Sequence, residues 1–173
     1  VDLKLPWLVG YSRQTAQLTQ QAGKLWGLTG DACALMGQAA LIHGMGRAAV
    51  PNRIWNSPGP LLAGDLERVR LVPYWTLQAA SQIEELAVPG QMAAHAYERL
   101  DGSGYFRALG ADSLKAEHRL LAAALAWTAL LADRPWRPAL NESEAERLLM
   151  QEAERGCFDA QACQAVIAAA RYE

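Results

Sequence analysis

The chain has 173 residues, of which 51% are hydrophobic and 20% are charged, and its formal net charge at pH 7 is −2. This balance is typical of one globular domain with a real hydrophobic core. The small net charge excludes a general field that attracts nucleic acid or an anionic membrane, and no apolar run reaches the roughly 18 residues that a membrane span needs.

Helical signals dominate the chain, and strand signals are nearly absent. Ser12 is the predicted N-cap of the first helix, and Asn141 with Glu144 predicts a capping box at a later one. Pro73 is expected to kink or break the third helix, and Gly156 to end the sixth. In chain order, the predicted helices cover residues 12–28, 30–46, 61–82, 89–100, 114–133, 141–156 and 159–171.

The connecting segments are short and rich in proline or glycine. They cover residues 48–60, 101–113 and 134–138, and neither a repeat nor a low-complexity linker separates the helices. The sequence therefore predicts a single all-α domain of about seven helices over residues 1–173. Because the chain opens with VDLK and lacks an initiator methionine, we expect a domain excised from a longer protein or a processed product.

The cysteines and the chain ends bear on the cellular compartment. Cys33, Cys157 and Cys163 are too few, and odd in number, for a disulfide framework. Cys157 and Cys163 are six residues apart with no histidine between them, which is poor spacing for zinc. Neither a signal peptide nor a targeting tail is visible, so we expect structural thiols in a reducing, cytoplasmic protein.

Three blocks of the chain share a pattern with a known family. The stretch IHGMGRAAVPNRIWNSPGPL (42–61) resembles HDIGK-x-x-IP-x-x-I-x-x-KPG-x-L of the HD-GYP family, in the HD phosphohydrolase superfamily. ERLDGSGYFRAL (98–109) resembles HHERWDGSGYPRGL, and ALLADRPWRPAL (129–140) resembles ALTSERPYRPA. The order and spacing of the blocks agree. The resemblance implies an HD-domain helical bundle in bacterial signalling that binds two or three Fe or Mn ions and hydrolyses cyclic di-GMP.

The same resemblance places the metal-ligand positions of the family on residues that are mostly poor ligands. Of these positions His43 alone keeps the family residue, and His95 lies one residue before the paired histidines. A metal site with open positions usually needs at least three protein ligands. We therefore expect no catalytic residues, no bound metal and no other cofactor. The degenerate positions are Tyr11, His43, Gly44, Val72, Ala96, Tyr97 and Leu125.

Three arginines are the candidate ligand-binding residues. Arg47 falls where the family has the lysine of HDIGK, and Arg134 and Arg137 fall where the family has cations facing the phosphates of its ligand. Arginine suits bidentate phosphate binding. The alternative is that Arg134 and Arg137 pair with acids such as Asp133 and Glu98, or with carbonyl groups at a helix C-terminus.

The glycine loop is the candidate docking surface for a partner protein. Its glycines tolerate positive φ and its aspartate can accept hydrogen bonds from the following amides, so the turn is also stable without any partner. The resemblance implies docking, because the equivalent loop of the family is proposed to contact GGDEF cyclase domains; Phe106 stands where the family has proline. The loop consists of Asp101, Gly102, Ser103, Gly104 and Tyr105.

Histidines and tryptophans near the motifs have structural alternatives. His43 is predicted to be buried and hydrogen-bonded, His95 is a candidate substitute ligand, and His118 is predicted to be solvated. Trp75 and Trp136 flank the degenerate site, where they either pack in the core or stack a guanine base.

Three functions follow from these patterns. The first is a catalytically inactive, regulatory or protein-interaction domain that works with a protein partner or a fused sensor or output domain. The second is a receptor that binds cyclic di-GMP or another nucleotide without cleaving it. The third is a residual metal phosphohydrolase that uses His43 and His95. The sequence does not decide whether the chain forms a homodimer through its terminal helices. Neither nucleic acid nor a membrane is an expected partner.

Overall fold

A computed structural model describes residues 2–172, and this part of the chain is all-α, as predicted. Within it, two isolated β-bridges are the sole extended pairings. The nine α-helices of the described residues are α1 (Tyr11–Trp26), α2 (Gly30–Ile42), α3 (Asn52–Trp55), α4 (Ala63–Arg70), α5 (Val72–Ala80), α6 (Ala87–Ala93), α7 (Ala116–Leu130), α8 (Glu142–Glu154) and α9 (Ala160–Ala170). In residues 2–172, every helix is too short or too polar to cross a bilayer.

The helix count exceeds the predicted seven for two reasons. The predicted helix over 61–82 is broken into α4 and α5, because Pro73 lies in the first turn of α5, where its missing N–H costs nothing. The four-residue helix α3 was not predicted. The predicted helix over 30–46 ends at Ile42, and a 3-10 helix follows at Met45–Ala49.

Local signals located some helix ends and missed others. The Asn141 side chain accepts from Glu144 N at 2.9 Å and Glu144 accepts from Asn141 N at 3.1 Å, which confirms the predicted capping box. Ser12 was wrong as an N-cap. It lies inside α1, which begins after Gly10, and its hydroxyl donates to the Asp2 carboxylate at 2.6 Å.

The core forms where α1 packs against α2, α7 and α9. Alanines make up much of this contact, so the helix backbones approach closely, and larger side chains such as Met36, Leu120 and Leu121 are completely buried between them. α8 covers the far side of α7 and α9. This packing leaves the first turn of α1, the middle of α7 and the 3-10 helix at Met45–Ala49 facing one cavity.

Candidate functional site

Five of the seven positions that the resemblance aligned with metal ligands line one cavity of about 300 Å³. Its walls come from α1, the 3-10 helix after α2, the start of α5, the loop after α6, α7, and the segment that follows α7. The positions aligned with metal ligands that line it are Tyr11, Val72, Ala96, Tyr97 and Leu125. Most of the positions that the resemblance aligned with metal ligands therefore lie at one place in the fold.

The guanidinium of Arg47 lies at the centre of this site. Arg47 is 7% exposed, and its Nη2 lies 3.0 Å from His43 Nε2 and 2.9 Å from Tyr97 Oη. A guanidinium donates and never accepts, so His43 Nε2 is the acceptor and His43 Nδ1 carries the proton. That proton is donated to Ala40 O at 2.6 Å. The Nε2 lone pair of His43, which a metal ion would need, therefore accepts a hydrogen bond from Arg47.

The remaining positions also suit packing better than metal binding. Tyr11 Oη donates to Leu125 O at 2.9 Å, and burial, together with the neighbouring Tyr97, raises the pKa of Tyr11 to about 12. The phenol is thus neutral near pH 7. Val72, Ala96 and the side chain of Leu125 offer no donor atom and are buried.

The Fe or Mn ions that the resemblance implies do not fit this donor set. A divalent ion at the centre would lie beside a buried guanidinium, with a strong repulsion in a poorly hydrated site. Throughout residues 2–172, no group of three or more His, Cys, Asp or Glu side chains is arranged to hold a metal ion.

Cationic side chains give the cavity its electrostatic character. Arg47, Arg99 and Arg134 line it, and none of the described residues in its walls is acidic. The guanidinium carbon of Arg134 lies 4.8 Å from the ring centre of Tyr11 and 4.9 Å from that of Trp7. The guanidinium carbon of Arg47 lies 5.7 Å from the same Tyr11 ring. The guanidinium groups of Arg47 and Arg134 therefore both lie within cation–π distance of the Tyr11 ring.

Both of these arginines have an unused donor. Arg47 Nη1 and Arg134 Nη1 are buried, and neither has a hydrogen-bond partner among the described residues. Buried polar atoms nearly always find a partner, because an unmade hydrogen bond costs about 1–3 kcal/mol. The walls of the cavity therefore include two guanidinium groups that each carry a buried, unsatisfied donor.

Arg137 does not join them, and the structure removes it from the candidate ligand-binding residues. Its Nη1 donates to Leu130 O and Pro138 O at 3.0 and 2.8 Å, and its Nη2 donates to Ala129 O at 2.7 Å. These carbonyls lie at or just beyond the C-terminus of α7, where a cation is favoured. Of the two alternatives for Arg137, the helix-end contact is the one observed.

Sequence reasoning did not identify Glu98 as the anchor of the glycine loop. Glu98 is 1% exposed, and its two carboxylate oxygens accept hydrogen bonds from Arg107 N and Leu109 N, each at 2.9 Å. Gly104 lies against the backbone of Glu98 and Arg99, where a Cβ atom would collide. The signal for Glu98 in the sequence was its place just before the loop.

The loop itself divides into an outer and an inner part. Asp101 Oδ1 accepts from Ser103 N at 3.0 Å and from Ser103 Oγ at 2.7 Å, and both residues are exposed. Tyr105 turns inward, where its ring stacks on Tyr97 at a centroid distance of 5.2 Å and lines the cavity. The docking role therefore stays a prediction for Asp101 and Ser103, whereas Tyr105 belongs to the cavity wall.

Two of the histidines pair away from the cavity. The rings of His95 and His118 stack at a centroid distance of 4.1 Å, and neither lines the cavity. His95 is therefore not a substitute ligand beside His43. His118 is half-buried against His95 and so is not fully solvated, and burial, together with His95, lowers its pKa to about 4.

The two flanking tryptophans differ in their relation to the cavity. Trp136 lines it and meets Trp7 edge-on at 5.7 Å, with 47% of its surface exposed. Trp75 is 42% exposed and packs against Tyr74 outside the lining. Neither is a core residue, and Trp136 alone of the two is placed to contact a ligand in this cavity.

Acid is expected to destabilise the fold through His43. Burial, together with Arg47, lowers the pKa of His43 from 6.5 to about 3. The folded state thus keeps His43 neutral, so its contribution is complete above pH 6.5 and is lost as the pH falls towards 3. We expect the free energy of unfolding to drop by about 2 kcal/mol between pH 6.5 and 5, measured by urea denaturation.

The control for this pH dependence is His43→Asn, which should flatten the plot of the free energy of unfolding against pH. His118→Asn measures how much the second histidine contributes in the same pH range. NMR titration of the imidazole signals assigns the effect. A His43 that titrates near pH 6.5 in the folded protein would contradict the hydrogen bond from Arg47.

Comparison with known proteins agrees with this architecture. The model of the HD domain family matches residues 1–162. The chain is 29% identical over 145 residues to 3'3'-cGAMP-specific phosphodiesterase 3 of Vibrio cholerae, covering 84% of this chain and 32% of the relative. It is 32% identical over 136 residues to a cyclic di-GMP phosphodiesterase of Pseudomonas aeruginosa, covering 77% of this chain and 32% of the relative.

A solved structure shows the same fold. An HDG"Y"P protein from Bdellovibrio bacteriovorus superposes with a TM-score of 0.75 at 18% identity, over 93% of this chain and 51% of that one. The chain spans about a third of the length of the curated relatives named above. The match over residues 1–162, with the three motif blocks, shows that this chain belongs to the HD domain family, in its HD-GYP group.

Proposed function

We propose that this chain is a non-catalytic, regulatory member of the HD-GYP group, in which a guanidinium has replaced the metal centre. The observation that carries the proposal is the hydrogen bond from Arg47 to His43 Nε2. Hydrolysis in relatives named as phosphodiesterases would need an activated nucleophile, and the described side chains of this cavity that carry polar groups are tyrosines, tryptophans and arginines. The scaffold loops are retained around it.

Regulation would pass through contacts with another protein. The exposed Asp101 and Ser103, on a loop fixed from inside by Glu98, form a rigid polar surface for a partner or for a fused sensor or output domain in bacterial signalling. A rigid loop loses little conformational entropy on binding, which favours such a role. The cytoplasm is the compartment that suits this role.

The test is metal content together with turnover. We expect less than about a tenth of an ion per chain by plasma mass spectrometry, even after growth with added Fe and Mn, because fewer than three ligands are present. We also expect no hydrolysis of cyclic di-GMP or 3'3'-cGAMP, with an active phosphodiesterase relative prepared in parallel as the control. Metal-dependent turnover would contradict the proposal and support a residual phosphohydrolase.

A second candidate function is a receptor that binds an anionic ligand without cleaving it. The specific observation is the pair of unpartnered donors, Arg47 Nη1 and Arg134 Nη1, in a cavity whose described walls carry no acid. The receptor role is compatible with the regulatory role, because a ligand in this cavity contacts Tyr105 of the glycine loop.

A further inference from the structure

A second cavity adjoins the first. It has a volume of about 520 Å³ and is formed by Ile54, Trp55 and residues 57–61, with Val69 and Trp136. Trp55, Val69 and Trp136 line both cavities. The two spaces are therefore neighbouring compartments bordered by the same three side chains, one cationic and one apolar.

The second cavity has few polar groups to offer. None of its described lining side chains is charged. Of its three side-chain donors, the Ser57 hydroxyl donates to Gly59 O at 3.3 Å and the Trp55 indole N–H donates to Arg47 O at 3.4 Å, which leaves the indole N–H of Trp136. A polar base such as guanine would lose most of its hydrogen bonds to water without replacement there, whereas an apolar ring would lose none.

We propose that the two cavities together form one binding site for an aryl oxyanion, an aromatic molecule that carries a single phosphate or carboxylate group. The oxyanion accepts from Arg47 Nη1 and Arg134 Nη1, and the aromatic body lies across Trp136 and Trp55 in the second cavity. The inference rests on the proposed function, because a metal centre in the first cavity would occupy the place of the oxyanion.

Charge and burial both favour an anion at this position. Arg47 is buried, and its cationic neighbour Arg134 lies over the same Tyr11 ring, so the two positive charges repel each other in a site of low dielectric constant. The nearby acid Asp2 is already paired, because its two carboxylate oxygens accept hydrogen bonds from Ser12 N and Ser12 Oγ at 2.9 and 2.6 Å. An oxyanion between the guanidinium groups would fill both unused donors and offset the repulsion.

The experiment is calorimetry on the full 173-residue chain in buffer with EDTA. The probes are 1-naphthyl phosphate, 1-naphthoate, inorganic phosphate and cyclic di-GMP. We expect naphthyl phosphate to bind at least about tenfold more tightly than phosphate, because its ring leaves water. Comparing the affinities of naphthoate and naphthyl phosphate identifies whether the site prefers a carboxylate or a phosphate.

Variants test the two compartments separately. Arg134→Gln should weaken naphthyl phosphate about tenfold or more, because a charge-assisted hydrogen bond is lost. Trp136→Ala should weaken naphthyl phosphate about fivefold and leave phosphate unchanged, because only the ring contact is removed. Arg155→Gln removes the same charge at a remote, exposed salt bridge with Glu152 and should have no effect.

Three results would overturn the inference. They are no detectable binding of either naphthyl probe, equal weakening by Arg155→Gln and Arg134→Gln, and cyclic di-GMP binding as tightly as naphthyl phosphate. None of these requires metal or turnover, so each would leave the proposed function standing. Metal-dependent hydrolysis of cyclic di-GMP would instead defeat the proposed function.

Discussion

Gly46→Ala is expected to destabilise the protein by about 3 kcal/mol, the cost of forcing an extra methyl group into packed backbone. A Cβ atom at Gly46 would collide with Val72 O and lie 2.8 Å from Thr76 N and 2.9 Å from Trp75 Cβ. Two of these atoms are backbone, so a side-chain rotation cannot relieve the clash. Urea and thermal denaturation measure the effect, with an expected fall in Tm of about 10 °C.

The close approach of Gly46 also fixes the neighbouring Arg47. Gly46 N donates to Thr76 Oγ1 at 2.9 Å, and that hydroxyl donates to His43 O at the same distance. Moving the 3-10 helix away from α5 would therefore also shift the hydrogen bond between Arg47 and His43. The NMR signal of the His43 imidazole should change in Gly46→Ala.

Gly64→Ala is the matched control. Gly64 lies in α4, where an added Cβ atom would have no neighbour within 4 Å, and alanine is favoured over glycine in a helix by up to about 1 kcal/mol. We expect this variant to be neutral or slightly stabilised. A Gly46→Ala variant as stable as Gly64→Ala would show that α5 and the 3-10 helix separate freely.

Glu98→Ala is expected to cost about 3 kcal/mol and to loosen the glycine loop, because two buried hydrogen bonds to a charged group are lost. Arg107 N and Leu109 N would each lose their acceptor. Hydrogen exchange at these two amides should accelerate more than at amides of α1. Denaturation measures the global loss, and exchange locates it.

Glu98→Gln and Glu84→Ala are the controls for this prediction. Glu98→Gln keeps one acceptor oxygen and turns an amide donor towards the second backbone N–H, so we expect a smaller but clear destabilisation. Glu84 is exposed on a 3-10 helix, so its removal should change little. Unchanged exchange at Arg107 and Leu109 in Glu98→Ala would mean that the loop is held by its own turn.

Much of the fold was readable from the sequence because its determinants are local. Helical periodicity, the Asn141 capping box and the break at Pro73 depend on residues a few positions apart, and the structure confirms them. The helix ends at Ile42 and Ala93 were missed, because they are decided by what packs beyond them. Tyr11, Val72, Ala96, Tyr97 and Leu125, which the resemblance aligned with metal ligands, line one cavity although they lie far apart in the chain.

Residue identity and motif spacing alone predicted the all-α HD-GYP scaffold, which the family match and the fold confirm. Residue identity also predicted the replacement of its metal-ligand side chains, because the side chains of valine, alanine and leucine have no atom that could bind a metal ion. The sequence does not distinguish one arginine from another, so their different roles became clear only from how the chain packs. Arg137 is bound to the carbonyls at the end of α7, whereas Arg47 and Arg134 converge on Tyr11 with donors unused. The direction and the burial of a side chain depend on contacts between distant segments of the chain, so the local sequence pattern does not predict them.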